Sequence, residues 1–543
     1  MPTFKLDDRE IPFEKGETII AAAYRQGVEI PHYCWHPGLS VAANCRMCLV
    51  EIEPAAGQRA MMLDILKWDA EKNDYVVDRK PKLQPACQIA ASDGMVVRSE
   101  SSANVKQARA HVQEFLLVNH PVDCPICDQA GECKLQDYWM TQQRTFKRMR
   151  DEPVHKPKAQ PFGEKIVYDA ERCITCTRCI RFCDEVAGDH MLDLRERGNK
   201  NEVVLAPGRA LEGDYTLMTE HVCPVGALTS SHFRFRARVW TLKEVPSICT
   251  GCATGCNTWL DYDPREQKVY RLRPRDNEKV NKFWMCDDGM MSYQHVHENR
   301  VKGARTGRGS SEALGVDEAV SRAAELFKKA GKGKVAVVLS AQMSTEDNLV
   351  AVELGRQFGA SFYLSAKAPW RADKILRNAD QNPNRAGATA AAMGAAVGSL
   401  RDLMATAGEG KLAAALVLGS DSDVSDAELS AMGRIADVVV LAANEGPLTR
   451  SATLVIPVAS VAEADGSFVN AKGLAQGFKR GLQLQPEGAP GWQRVAEIGR
   501  AMGLDLAYKK FKEVRAALTV KVPTASPDAP AASAAGAGTE SHA

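Results

Sequence analysis

The chain has no continuous apolar stretch of about 18 residues, the length a bilayer demands, and its amino terminus, MPTFKLDDRE, lacks a basic start followed by an apolar run. Neither a membrane-spanning helix nor a secretory leader is therefore expected, and the sequence reads as cytoplasmic, with no direct membrane insertion. Excess charge is missing too. Lys and Arg number 69 against 68 Asp and Glu, a net charge near +1, so no nucleic-acid partner is expected. No Gly-x-Gly-x-x-Gly follows a strand-like run and no Gly-x4-Gly-Lys-Ser/Thr occurs, which leaves no dinucleotide or flavin cradle in view. Cysteine is absent beyond Cys286, although the chain runs to 543 residues.

Before that point it is abundant. In a reducing compartment, 16 cysteines are poor disulfide formers and better metal ligands or reactive thiols. They fall into four groups: Cys34, Cys45, Cys48 and Cys87; Cys124, Cys127 and Cys133; Cys173, Cys176, Cys179, Cys183 and Cys223; and Cys249, Cys252, Cys256 and Cys286. Scattered cysteines often serve as small buried apolar residues, but each of these groups contains a C-x2-C pair. At 543 residues, 45% hydrophobic and 25% charged, the chain can build three or more domains around such sites.

The first group reads C-x10-C-x2-C-x38-C. Around it FKLDDREIPF suggests a hairpin turning at Asp7-Asp8, ETIIAAAYRQG a short amphipathic helix, and CLVEIE and MVVRSES strands. Two close cysteines and a distant one resemble the plant-type [2Fe–2S] pattern, with a first spacer of ten residues instead of four. Zinc is the rival, although zinc ribbons favour two paired knuckles. In the third group Cys173, Cys176 and Cys179 have two candidate partners. Cys183 lies close by but is followed by Asp184, whereas Cys223 precedes Pro224, as in bacterial ferredoxin runs. Cys223 is taken as the ligand and Cys183 as a buried thiol. The fourth group, C-x2-C-x3-C-x29-C, suits either a four-iron cubane or zinc, and Gly251 and Gly255 let its backbone turn tightly.

The second group, NHPVDCPICDQAGECKLQD, is one ligand short. His120 follows the helix-like run SSANVKQARAHVQEFLLV and should face the cysteine loop. Its bland role is a helix C-terminal cap; its chemical role is the fourth iron ligand, since histidine replaces cysteine in Rieske centres. Asp123 is the nearest rival but abuts Cys124. Arg46, Arg172, Arg178 and Arg181 lie near the cysteines. Each either raises a cluster potential by favouring the reduced form or is a solvated surface charge.

The order of groups, with CPICDQAGECKLQD after His120, CITCTRCIR followed by CPVGAL, and then CTGCATGCN, resembles the family of large iron–sulfur subunits of bacterial NADH–quinone oxidoreductase (respiratory complex I) over almost the whole chain. That resemblance implies one [2Fe–2S] cluster on Cys34, Cys45, Cys48 and Cys87. It implies three [4Fe–4S] clusters, on His120, Cys124, Cys127 and Cys133; on Cys173, Cys176, Cys179 and Cys223; and on Cys249, Cys252, Cys256 and Cys286. The first three would belong to an electron wire between flavin and quinone, and the fourth would lie off it. Cys183 has no role in the family pattern, and the chain looks shorter than many relatives.

The expected fold is multidomain α+β and α/β. A β-grasp [2Fe–2S] ferredoxin-like domain covers residues 1–100, a helical His/Cys3 [4Fe–4S] domain 101–150, a ferredoxin-like [4Fe–4S] domain 151–240, and a four-cysteine subdomain 241–300. EPVHKPKAQPFGE, residues 152–164, reads as an inner linker. Over residues 301–521, strand-like KVAVVLS, LAAALVLG and IADVVVLAA alternate with helix-like STEDNLVAVELGRQF, which argues for a parallel α/β sheet. SATLVIPVASVAEADGSFVNAKGLAQGF resembles molybdopterin oxidoreductases. With no cysteine available to hold molybdenum, this half is expected to be a scaffold without its cofactor. Residues 522–543, rich in Pro, Ala and Ser, read as a disordered tail.

Nicotinamide gives electrons in pairs and iron–sulfur clusters pass them singly, so a flavin must mediate. A flavin- and NADH-binding partner is therefore expected, with ferredoxin-like and quinone-site subunits beyond it. The chain is expected to be one member of a hetero-oligomer, peripheral on the cytoplasmic face of the inner membrane, with no catalytic acid, base or nucleophile of its own. The alternatives are the electron-feeding subunit of a soluble NAD-linked hydrogenase or formate dehydrogenase, a molybdenum enzyme, and a zinc-stabilised assembly platform.

Overall fold

The computed structural model describes residues 1–142, 148–308, 311–420, 422–485 and 487–520. The tail expected at 522–543 lies outside the described residues. Two compact units divide between Trp240 and Thr241.

In the first unit, strands β1 (Thr3–Leu6) and β2 (Arg9–Pro12) form the hairpin about Asp7-Asp8. Alternation sends Phe4 and Leu6 into the core and Lys5 outward. Helix α1 (Ile19–Arg25) starts at Thr18, whose side chain accepts from the Ala21 N–H. Strand β3 (Leu49–Glu53) begins one residue after Cys48. The 38-residue spacer holds a long hairpin, β4 (Met62–Asp69) and β5 (Asp74–Pro81), before β6 (Gln84–Pro85) and β7 (Val96–Arg98) return to the sheet. The sheet order is β2-β1-β7-β3-β6, with β1 and β7 parallel. Ile19, Ile20, Val50, Val97 and Phe4 share its core with Cys48 and Cys87.

Helix α2 (Ala103–Leu117) is capped by Ser102 and strapped to this sheet by the fully buried Arg109, which donates to Glu100 at 2.6 Å, Ser99 Oγ at 2.7 Å and Leu49 O at 3.0 Å. Helix α3 (Lys134–Gln142) follows Cys133, and Gln113 of α2 donates to Leu135 O at 2.9 Å. Together α2 and α3 hold the loop 118–133. Residues 152–164, read from sequence as a linker, are pinned instead: Val154 N–H donates to Asn119 Oδ1, and Lys158 pairs with Asp123 and Glu171.

In the second unit a three-stranded antiparallel sheet (Lys243–Ile248, Asn257–Asp263, Lys268–Pro274) carries residues 249–256 as the connection between its first two strands. An eight-stranded sheet follows. Val335–Ser340, Ala414–Leu418, Asp437–Ala442 and Leu454–Pro457 run parallel, and Ala304–Thr306 is antiparallel at one side, so the sheet expected to be parallel is mixed. Its central strands are buried on both faces, as parallel strands covered by helices must be. The strand order reverses between Val335–Ser340 and Ala414–Leu418. At the carboxyl ends there, the usual ligand position in such sheets, lies a cavity of about 790 Å³.

Candidate metal centres

In the first pocket the thiols meet as two pairs. Cys34 and Cys45 are hydrogen-bonded to each other, as are Cys48 and Cys87, and within each pair that bond pulls one thiol (Cys34, Cys87) down in pKa and pushes its partner up. Left-handed Ala43 (φ 51°) and Arg46 (φ 60°) turn the loop so that Cys45 and Cys48 can each reach a distant partner. Two thiols per iron is the ligand arithmetic of a binuclear cluster.

The second pocket is a cavity of about 720 Å³ whose wall includes His120, Asp123, Cys124, Cys127, Cys133 and Arg172. His120 Nδ1 is buried without a hydrogen-bond partner. Burial, then the Arg172 guanidinium, lowers this imidazole to a pKa of about 4, so it is neutral at pH 7 and its nitrogen is free to ligate. Asp123 is otherwise engaged: its Oδ2 accepts from Lys158 Nζ at 2.7 Å, Arg172 Nη2 at 2.9 Å and Arg172 Nε at 3.0 Å. Burial opposes its charge, but those bonds outweigh it and hold the carboxyl low. Cys133, by contrast, is pushed up to about 12 by burial, a proton that metal binding displaces.

In the third pocket Tyr168, Cys173, Cys176, Cys179 and Cys223 line one small cavity, and Cys183 is not in its wall. Thr175 (φ 50°) and Thr177 (φ 62°) are left-handed, curling CITCTRC around that space, and the Thr175 N–H donates to Cys173 Sγ at 3.3 Å. Cys183 begins the π-turn Cys183–Ala187 and is wholly buried, its thiol raised to about 12 by burial and then by Asp184 and Asp189.

The fourth set, Cys249, Cys252, Cys256 and Cys286, is buried; burial, and after it neighbouring thiols, raise Cys249, Cys256 and Cys286. Cys249 N–H donates to Cys256 O at 2.9 Å and Gly251 N–H to Cys249 Sγ at 3.3 Å. The loop is clamped from far along the chain: Thr254 donates to Leu376 O, Asn470 to Thr254 O at 3.2 Å, and Gln476 to Gly255 O at 2.9 Å.

Within the first unit the pockets are tied to one another. Arg181 Nη2 donates to both Cys34 O at 2.5 Å and Cys176 O at 3.3 Å, joining the first pocket to the third. Gly226, three residues past Cys223, approaches the second: a Cβ there would lie 2.1 Å from Cys127 Sγ. Sequence reasoning misses Gly226, for which CPVGAL carries no signal. It also leaves a surface position open to Arg172 and Arg178 as much as to Arg46; the first two are buried, and Arg46 is exposed. Among the described residues no three His, Cys, Asp or Glu side chains close on a point tightly enough for one metal ion.

The second, third and fourth pockets each fall within a different family model, and the first falls in another except for Cys87, which lies beyond its match. The 2Fe-2S iron-sulfur cluster binding domain matches residues 1–66, the NADH-ubiquinone oxidoreductase-G iron-sulfur binding region 109–147, the NADH-quinone oxidoreductase subunit 3 ferredoxin-like domain 163–229, and the molybdopterin oxidoreductase Fe4S4 domain 242–298. The G subunit of NADH-quinone oxidoreductase from Streptomyces coelicolor is 35% identical over 349 residues, 64% of this chain and 38% of that one. The G subunit from Rickettsia felis is 33% identical over 378 residues, 69% of this chain and 52% of that one. The chain is a homologue of these NADH-quinone oxidoreductase G subunits. Subunit 3 of the Thermus thermophilus enzyme is 33% identical, with 66% of this chain and 46% of the relative aligned. The matched length is about two thirds of the chain, less than the near-complete resemblance read from sequence, and the chain spans about half or less of these relatives. A crystal structure of an NAD+-reducing [NiFe]-hydrogenase in the H2-reduced state matches 44% of this chain and 91% of that one at 27% identity and a TM-score of 0.35, too low to carry an argument.

Proposed function

We propose that this chain is an iron–sulfur electron-relay subunit of the peripheral arm of NADH–quinone oxidoreductase, passing single electrons from a flavin- and NADH-binding partner toward the ferredoxin-like and quinone-site subunits. The observation that carries this reading is the second pocket, where three thiols and the unpartnered nitrogen of His120 face one cavity inside the region matching the oxidoreductase-G family. Cys34, Cys45, Cys48 and Cys87 would hold a [2Fe–2S] cluster. His120, Cys124, Cys127 and Cys133, then Cys173, Cys176, Cys179 and Cys223, then Cys249, Cys252, Cys256 and Cys286 would each hold a [4Fe–4S] cluster. Once bound, such clusters supply one-electron transfer without proton chemistry. The protein's own part is to bury the thiols, exclude water and fix the distances, and Arg181 and Gly226 do this by drawing neighbouring pockets together. Attachment would be peripheral, at the cytoplasmic face of the membrane; among the described residues no helix is long and apolar enough to cross a membrane.

Molybdopterin does not fit. The 790 Å³ cavity is walled by carboxylates including Glu298, Asp423, Glu445 and Asp465, with Lys367 as the one Lys or Arg among its described lining residues, so a cofactor carrying phosphates would meet repulsion. No cysteine follows Cys286 to hold the metal.

Anaerobic metal analysis and NADH titration test the reading together. The loaded chain should carry about 14 irons, two in the first pocket and four in each other, with no molybdenum, and NADH should bleach its visible absorbance only after a flavin-bearing partner is added. Stoichiometric molybdenum, zinc in colourless protein, or bleaching of the flavin-free chain would overturn it.

The third pocket gives a second expected result. Cys223→Ala should lose that pocket's cluster, whereas Cys183→Ala should keep it and cost about 1–2 kcal/mol of packing. Electron paramagnetic resonance of the two variants reads the difference, and the opposite pattern would exchange the two roles.

A further inference from the structure

Arg172 stands at the boundary of two pockets. Its backbone precedes Cys173 of the third, and its side chain lines the cavity of the second. The side chain is 2% exposed, and Asp123, the residue before Cys124, accepts from Nε and Nη2 at 3.0 and 2.9 Å. Asp169 Oδ2 lies 3.4 Å from Nε. Nη1 is left buried with no hydrogen-bond partner. An orphaned donor on a buried cation is expensive to keep unless an acceptor or an anion occupies the space beside it. The same wall carries the other orphan, His120 Nδ1, and the three thiols. One unpartnered nitrogen is suited to ligate; the other, on a guanidinium that cannot lose its proton, can only donate.

We propose that Arg172 is a positioning residue of the second pocket that sets the reduction potential of the group bound there, Asp123 holding the guanidinium so that Nη1 stays available at the cavity wall. The inference rests on the iron–sulfur reading and deepens it. Reduction adds one electron and makes the bound group more negative by one charge, and a buried cation favours that state, so Arg172 raises the potential. The surrounding charges sharpen the sign. Lys158 is the network's other cation, against Asp123, Asp169 and Glu171. Without Arg172 those carboxylates would dominate and oppose reduction.

Redox titration followed by electron paramagnetic resonance, on the full chain loaded anaerobically, tests this with three variants. Arg172→Gln should lower the midpoint of the second pocket's signal, by a reduced-to-oxidised ratio that falls about tenfold at the wild-type midpoint, ~59 mV for a one-electron couple. Arg172→Lys, which keeps the charge and loses the fork, should fall less. Asp123→Asn removes a negative charge while retaining an acceptor, so its midpoint should rise. A residue that merely holds the loop would move the Gln and Asn variants in the same direction. An unchanged midpoint in Arg172→Gln, or a midpoint in Asp123→Asn that is unchanged or lower, would overturn the inference. Should Arg172→Gln fail to hold iron, the sign in Asp123→Asn decides. A wild-type chain that takes up no cluster in this pocket defeats the proposed function itself, whereas a loaded pocket indifferent to Arg172 defeats the inference alone.

Discussion

His120→Ala should empty the second pocket of its cluster or leave one iron labile, and His120→Cys, where a cluster still assembles, should lower its potential. The imidazole is neutral in its buried site, with a pKa lowered to about 4, so exchanging it for a thiolate adds one negative charge to the bound group and makes reduction harder, the reverse of the direction seen when histidines replace cysteines in Rieske centres. Asp123→Ala should keep the cluster, because Asp123 spends its carboxylate on Lys158 and Arg172. If His120 only capped helix α2, the alanine variant would lose about 1 kcal/mol of stability and keep its spectrum. Iron content and electron paramagnetic resonance of His120→Ala separate these cases, and a full second-pocket signal would remove His120 from the ligand set.

Gly226→Ala should be as damaging, although Gly226 is no ligand. Its Cβ would stand 2.1 Å from Cys127 Sγ and 3.1 Å from Gln129 Cβ, so the thiol must leave its position for the methyl group to enter. Loss of the second pocket's signal with the third retained is the expected spectrum. Gly251→Ala is the control: its Cβ would meet Cys249 Sγ at 3.4 Å, an ordinary contact, and the fourth pocket's signal should survive. Equal signals in Gly226→Ala and wild type would show that the loop carrying Cys127 can retreat freely.

The difference between these two residues shows what the sequence could reveal. Thiols that serve one cluster from a single loop sit two or three residues apart, so Cys173, Cys176 and Cys179 announce themselves. Cys223 is legible because a proline follows it, and it stands in the third pocket's wall. His120 emerges by counting a ligand short. Gly226 acts on a thiol about 100 residues away in sequence, and no local pattern encodes such an approach. Arg172 and Arg178 look like any basic residue beside a cysteine, because burial is decided by what packs over them. In the α/β half, unbroken apolar runs reveal the strands. The antiparallel member Ala304–Thr306 is too short to show a period. The β4–β5 hairpin stays hidden for another reason: its apolar residues Leu66 and Val77 are 69% and 67% exposed, so alternation there does not mark a buried face.

The clamp on the fourth cysteine loop has a consequence for the order of biogenesis. Cys249, Cys252, Cys256 and Cys286 are all synthesised well before Leu376, Asn470 and Gln476, whose bonds close over residues 254 and 255. A chain emerging from the ribosome therefore presents these four thiols while the segments that seal them do not yet exist. Any group they would hold can be delivered in that interval, before the carboxy-terminal half closes over the loop.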